Sequence, residues 1–293
     1  MTEVLQPASE WNATYLTVRT PEQLVQLRRL HHMKLILLEG AEPLLTHPHL
    51  TALCLVSNDV VEDLAPLGRL SGLKRLELQG CSALRDLEAI AELPGLQALS
   101  LFRLRPGLSL RPLCGLGRLE TLTLGTPQSA RSLADLPVPD GVVHLHLHWP
   151  TQDIALDGLD RWPGLRTLTI TGAAQAKDLT RVSVPRELRH LQIVDHPALD
   201  LRTLARHAGL ESLHLSTCHL MSGLGALREL PALRHVTFYE CTGEIDLSAL
   251  AQLHQLTIHC RRTKTRGAEF IPRRRLDGPP TPPPPPTTPP PRR

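Results

Sequence analysis

The chain has 293 residues, of which 41% are hydrophobic but only 3% aromatic, and its formal net charge is +3. So little Phe, Tyr and Trp excludes an interior built on aromatic rings, and leucine has to fill it instead. The charge is uneven, with +7 on residues 261–293 and −4 on the rest, which argues against a uniformly cationic, nucleic-acid-binding face.

Met1 to Trp11 contains neither a basic segment nor an apolar run of the kind that opens a secretory signal. No stretch anywhere approaches the roughly 18 apolar residues of a membrane span. Residues 1–29 read as an irregular N-terminal cap. Ala13, Leu16 and Val18 are placed to form a degenerate first strand, and Pro21 to Leu30 a short helix with Thr20 as its N-cap.

From residue 30 to about residue 260 one phrase recurs, most cleanly as Leu73-Lys74-Arg75-Leu76-Glu77-Leu78-Gln79-Gly80-Cys81. Its first position falls at Leu50, Leu73, Leu96, Leu119, Val142, Leu165, Leu188, Leu210 and Leu233, in steps of 23 residues with one step of 22. Weaker copies begin at Leu30 and Leu253, which gives about eleven repeats. A fixed period of this length marks an α/β solenoid of leucine-rich repeats, each coil one parallel strand and one return segment. A second leucine column, in a D-L-x-x-L setting such as Asp63-Leu64-Ala65-Pro66-Leu67, follows every strand. Its spacing of three, as in Leu64, Leu67, Leu70 and Leu73, fits 3₁₀ turns better than a long helix, and Pro94, Pro163 and Pro231 end the turns. The expected fold is a right-handed solenoid with a concave parallel sheet and short 3₁₀ or helical convex turns.

Three of the six cysteines, Cys81, Cys218 and Cys241, occupy the ninth position of the phrase, where a small polar side chain ties up backbone as the strand ends. They read as reduced structural thiols, as expected of a cytoplasmic protein. The combination L-x-x-L-x-L-x-x-[NC] with D-L-x-P-L-x-x-L-x-x-L resembles the short, internalin-like class of leucine-rich repeat. The drift from asparagine to cysteine and the arginine-rich composition are similar to the C-terminal repeats of actinobacterial NACHT-type signalling NTPases. That second resemblance implies a bacterial sensor or autoinhibitory arm; the G-x-x-x-x-G-K-[ST] phosphate loop of such an NTPase is absent from this chain.

Residues 261–293 read as a separate basic, proline-rich, disordered tail, with Phe270-Ile271 able to fold back as a cap and an extended polyproline segment from Pro272 onward.

Alternation along a strand points the leucines inward and three columns outward. The central column runs from Cys54 and Glu77 through Thr123, His146, Thr169 and His214 to Thr237 and Thr257. Before it run Arg75, His144, His190, His235 and Gln255; after it run Phe102, His148, Tyr239 and His259. Cys54 and Cys260 are both read as outward. Three histidines on one face of one strand, His144, His146 and His148, can approach zinc or form a pH-sensitive patch, since imidazole titrates near neutrality. No acid stands beside them to act as a base or second shell. The G-x-S-x-G, H-E-x-x-H and C-x-x-C motifs are all missing. The expectation is therefore a non-enzymatic monomer that binds a protein or peptide on the concave face, without cofactor, metal or membrane. Its contact residues are Arg75, Glu77, Phe102, His144, His146, His148, His190, His214, His235 and Tyr239.

Overall fold

A computed structural model describes residues 16–18, 32–36, 50–56, 61–125, 132–148, 156–172, 185–219 and 221–276. The Pro21–Leu30 segment and the tail beyond Leu276 lie outside the described residues.

Leucine at the fourth and sixth positions of the phrase dictates the sheet. Its strands are β1 (Leu16–Val18), β2 (His32–Ile36), β3 (Ala52–Val56), β4 (Arg75–Gln79), β5 (Ala98–Phe102), β6 (Thr121–Gly125), β7 (His144–His148), β8 (Thr167–Thr171), β9 (His190–Val194), β10 (Ser212–Ser216) and β11 (His235–Tyr239). They pair in chain order, all parallel, and β13 (Thr257–Arg261) closes the row after β11, giving twelve strands. Leu16 of β1 pairs with Met33, so the degenerate first strand is realised. The register never slips in the regular coils: Leu76 faces Leu99 and Leu78 faces Leu101. Each inward leucine therefore stacks on its counterpart, and Leu53, Leu55, Leu76, Leu78 and Leu99 are fully buried. The hydrophobic cluster is continuous from Leu50 to Ile271. This is a leucine-rich-repeat solenoid.

The returns are 3₁₀ turns, including Ala65–Arg69, Glu88–Glu92, Arg111–Gly115 and Leu224–Glu229. Leucine at every third residue threads one line of bonds, with Leu67 N donating to Leu64 O at 2.8 Å and Leu70 N to Leu67 O at 2.8 Å. The recurrent aspartate has a specific task. Asp63 and Asp246 each accept the backbone N–H two residues on, at 2.8 and 3.0 Å, and so start the turn.

At the strand exits the cysteines act as the spacing implies. Cys241 Sγ lies 3.4 Å from Leu215 O and Cys218 Sγ 3.6 Å from Ile193 O, both buried and free. The residue immediately before each of them, and its counterparts in other coils, adopts positive φ: Gly80 and Gly172 do so, but Arg103, Asp195, Thr217, Glu240 and Arg262 do so without a glycine's freedom. The chirality cost is accepted because the N–H of this residue extends the sheet. Asp195 N donates to Ser216 O of the next coil at 3.0 Å, and Glu240 N to Arg261 O at 2.9 Å.

The C-terminal end corrects the expectation of a tail starting at residue 261. Lys264–Arg266 (β14) pairs in parallel with Glu244–Asp246 (β12) as a second small sheet, and a short helix follows at Arg273–Leu276. Ile271 is buried while Phe270 is 62% exposed, so only the isoleucine serves as the cap. Arg275, 6% exposed, aims its guanidinium at the last coil's open carbonyls. It donates to Leu256 O at 2.9 Å, Ala251 O at 3.0 Å, Leu250 O at 3.2 Å and Leu253 O at 2.6 Å. An arginine that composition alone assigns to a solvated tail is the plug of the solenoid. Among the described residues no helix is long and apolar enough to cross a membrane.

Candidate functional site: the concave sheet

The outward columns form as the alternation predicts, except on β13. There Thr257 pairs with His235, His259 with Thr237 and Arg261 with Tyr239, a slip of two residues from the phrase read at Leu253. The coil from His235 to Thr257 thus runs 22 residues, close to the regular period, and not the 20 implied by starting the phrase at Leu253. Because the slip is even, the inward and outward faces are not exchanged. Cys260, however, pairs with the fully buried Phe238 and packs against the core, not outward. Cys54 stands in the central outward column beside Glu77 yet is buried.

Burial also separates the columns. Glu77, Thr123, His146, Thr169 and Thr237 of the central column are buried. They form the floor of a groove rather than a contact surface. The flanking residues Arg75, Phe102, His144, His148 and Tyr239 are half-exposed, and His190 and His235 are exposed. His146, 8% exposed, lies beneath this surface, between Thr123 of β6 and Thr169 of β8. Burial, helped by the neighbouring His144, holds its imidazole neutral with a pKa pushed down to about 4. Burial also lowers His144, with Glu120 opposing, and lowers His190, with Glu211 opposing. It lowers His148 and His214 as well, the first with added repulsion from Arg103.

The half-exposed aromatic is organised, not merely displayed. Phe102 of β5 and His148 of β7 belong to one column, separated only by Gly125 of β6. The Phe102 ring lies across that glycine and meets His148 edge to face, centroids 6.2 Å apart at 72°. A Cβ at residue 125 would stand 2.4 Å from Phe102 Cδ1, so glycine is what permits the arrangement. Two polar atoms of this face, His214 Nε2 and Thr121 Oγ1, are buried without a hydrogen bond in the chain.

The three histidines of β7 do not converge. His146 is buried in the floor, His148 is engaged with Phe102, and among the described residues no group of three His, Cys, Asp or Glu can hold a metal. On the convex side the sequence reading missed a cleft of about 450 Å³, where the walls of Leu108, Leu110 and Arg111 part from Leu136 and Arg161. Its polar groups already serve the fold. Asp135 closes a capping box with Ser132, and Arg161 donates to the carbonyls of Ala134 and Leu136.

Comparison with known proteins bears on the fold. An internalin (InlF) from Listeria monocytogenes is similar at a TM-score of 0.53 and 23% identity, over 82% of this chain and 69% of that one. An internalin C2 from the same organism gives a TM-score of 0.32 at 22% identity, over 81% and 83%. No family model and no curated protein matches the chain. The first likeness supports the leucine-rich-repeat fold and does not support the NACHT resemblance.

Proposed function

We propose that the chain is a non-enzymatic interaction module whose concave sheet binds a protein or peptide. The observation that carries this reading is the Phe102–Gly125–His148 arrangement. A half-exposed aromatic is held rigid on the concave face, with Tyr239 four strands away from His148 in the same column. Rigid, partly exposed aromatics lose little entropy on binding and are the usual anchors of an interface. A solenoid offers such anchors along an extended concave surface. The contact set then comprises Arg75, Phe102, His144, His148, His190, His214, His235 and Tyr239; Glu77 and His146 support them from the floor. The buried thiols of Cys218 and Cys241, which form no disulfide, agree with a reducing, cytoplasmic setting.

The test compares affinity capture by the wild-type chain, a concave variant (Phe102→Ala, His148→Ala, Tyr239→Ala) and a convex variant (Arg69→Ala, Glu92→Ala, Arg111→Ala). Circular dichroism first establishes that all three fold. Loss of a bound protein with the concave variant alone is expected; loss with the convex variant alone overturns the reading. A second reading, favoured by the cysteine ladder at Cys81, Cys218 and Cys241, makes this module the sensing arm of a NACHT-type NTPase. A P-loop domain encoded alongside it, and a change in that domain's nucleotide turnover when the module is added, is its test.

A further inference from the structure

Among the described residues the outward columns from β5 onward contain no carboxylate, although Glu120 and Glu211 stand at the strand starts beside His144 and His190. The outward positions of β5 to β11 and β13 carry Ala98, Ser100, Phe102 and then only Thr, Ser, Gly, Gln, Val, Tyr, His and Arg261. Glu77 on β4, itself buried, is the nearest acid in those columns. The body of the molecule is mildly acidic, so this face differs in charge from the surface around it.

Within that face the histidines recur on alternate strands. The register runs His144, Thr167, His190, Ser212, His235 across β7 to β11. Successive histidines are thus two strand spacings apart, about 9–10 Å, with a hydroxyl between them. An extended or polyproline-like segment lying across the strands advances ~3.1–3.4 Å per residue, so every third residue meets a histidine. Along the strand starts lie Arg166, Arg189 and Arg234 against Glu120 and Glu211, and Arg189 is paired with Glu211 at 3.4 Å.

We infer that the segment bound on this face is an extended acidic peptide, whose carboxylates at every third residue sit over His144, His190 and His235. The inference rests on the concave-face reading above and names the partner's chemistry. Charge complementarity selects it. An acidic segment meets imidazole and hydroxyl donors and no opposing carboxylate in the columns. Binding is linked to protons. His144 faces Glu120, Arg166, His146 and His190, and His190 faces Glu211, Arg189, His144 and His235. In the free protein partial desolvation lowers the pKa of His144 and His190 below the ordinary imidazole value, and an incoming carboxylate favours their charged form. Protons are therefore taken up on binding, and affinity increases as the pH falls through the histidine range.

Isothermal titration of the full chain tests this. The probes are a twelve-residue peptide with Glu at every third position in a Ser/Gly background, its Gln counterpart and a single-stranded oligodeoxythymidylate. Titrations are run at pH 7.5 and pH 6.0 in two buffers of different ionisation enthalpy. The Glu peptide is expected to bind about tenfold more tightly at pH 6.0, with net proton uptake. The Gln peptide binds weakly at both pH values, and the double variant His190→Gln, His235→Gln flattens the pH dependence. Failure of the Glu peptide to bind, equal affinity for Glu and Gln peptides, tightening with rising pH, or stronger binding of the oligonucleotide each overturns the inference. If any of these occurs while the concave variant above still loses its protein partner, the concave-face reading stands without the acidic peptide. If that variant keeps its partner, both fall.

Discussion

His146 makes the folded chain sensitive to acid in a way that can be calculated. Its ordinary pKa is 6.5 and burial in the groove floor lowers it to about 4. Below pH 6.5 the unfolded chain binds a proton that the folded chain refuses, so stability falls as the pH drops from 6.5 towards 4 and then levels off. The full difference amounts to roughly 3 kcal/mol, of which about 2 kcal/mol is lost between pH 7.5 and pH 5. His146→Thr removes this contribution and continues the hydroxyl row of Thr123 and Thr169 on the adjacent strands. Urea unfolding followed by circular dichroism from pH 7.5 to 5, with hydrogen exchange of the β6–β8 amides, gives stability against pH for both chains. The replaced volume shifts the variant by a constant at every pH, whereas the slope isolates the proton. The wild type is expected to lose about 2 kcal/mol more than the variant over this interval. Equal slopes, or a variant that is the more acid-sensitive, would refute the buried, neutral imidazole.

Three further substitutions probe the scaffold. Arg275→Ala uncovers four carbonyls of the last coil and is expected to cost about 4 kcal/mol, read as a lowered urea midpoint with early exchange of the β13 amides. Gly158→Ala places a Cβ 2.6 Å from Ala134 Cα at a φ of +88°, so a loss of about 3 kcal/mol or failure to fold is expected in the same assay. Arg103→Gly relieves a φ of +49° on an exposed side chain, which should raise stability by about 1 kcal/mol. The same change removes the cation that helps depress His148, so the His148 titration followed by NMR should move up.

The fold was legible because each of its rules is local and repeated. Alternation of leucine sets which face of a strand is buried, and spacing of three sets the 3₁₀ return; neither depends on distant residues. The convex cleft was not legible, because it arises where successive turns at Arg111–Gly115 and Leu133–Asp135 part, which no residue pattern announces. The site was half legible. Period-two alternation identified the outward columns, but it treats outward as exposed. His146 shows the difference, since its flanking neighbours close over it and leave it neutral in the floor. Phe102 shows it too: its orientation depends on Gly125, a neighbour in space that stands 23 residues away in the chain.

By itself the sequence determined the solenoid, the direction in which its strands stack and the residues lining its inner face, because those follow from hydrophobic period and turn chemistry. Only the tertiary structure decided the two-residue register shift at β13, Arg275 as the terminal plug, and the division of the histidines between floor and surface. Each of these depends on how long a particular coil runs and on which side chains of adjacent coils shield one another from water, and such contacts exist only once the coils are stacked.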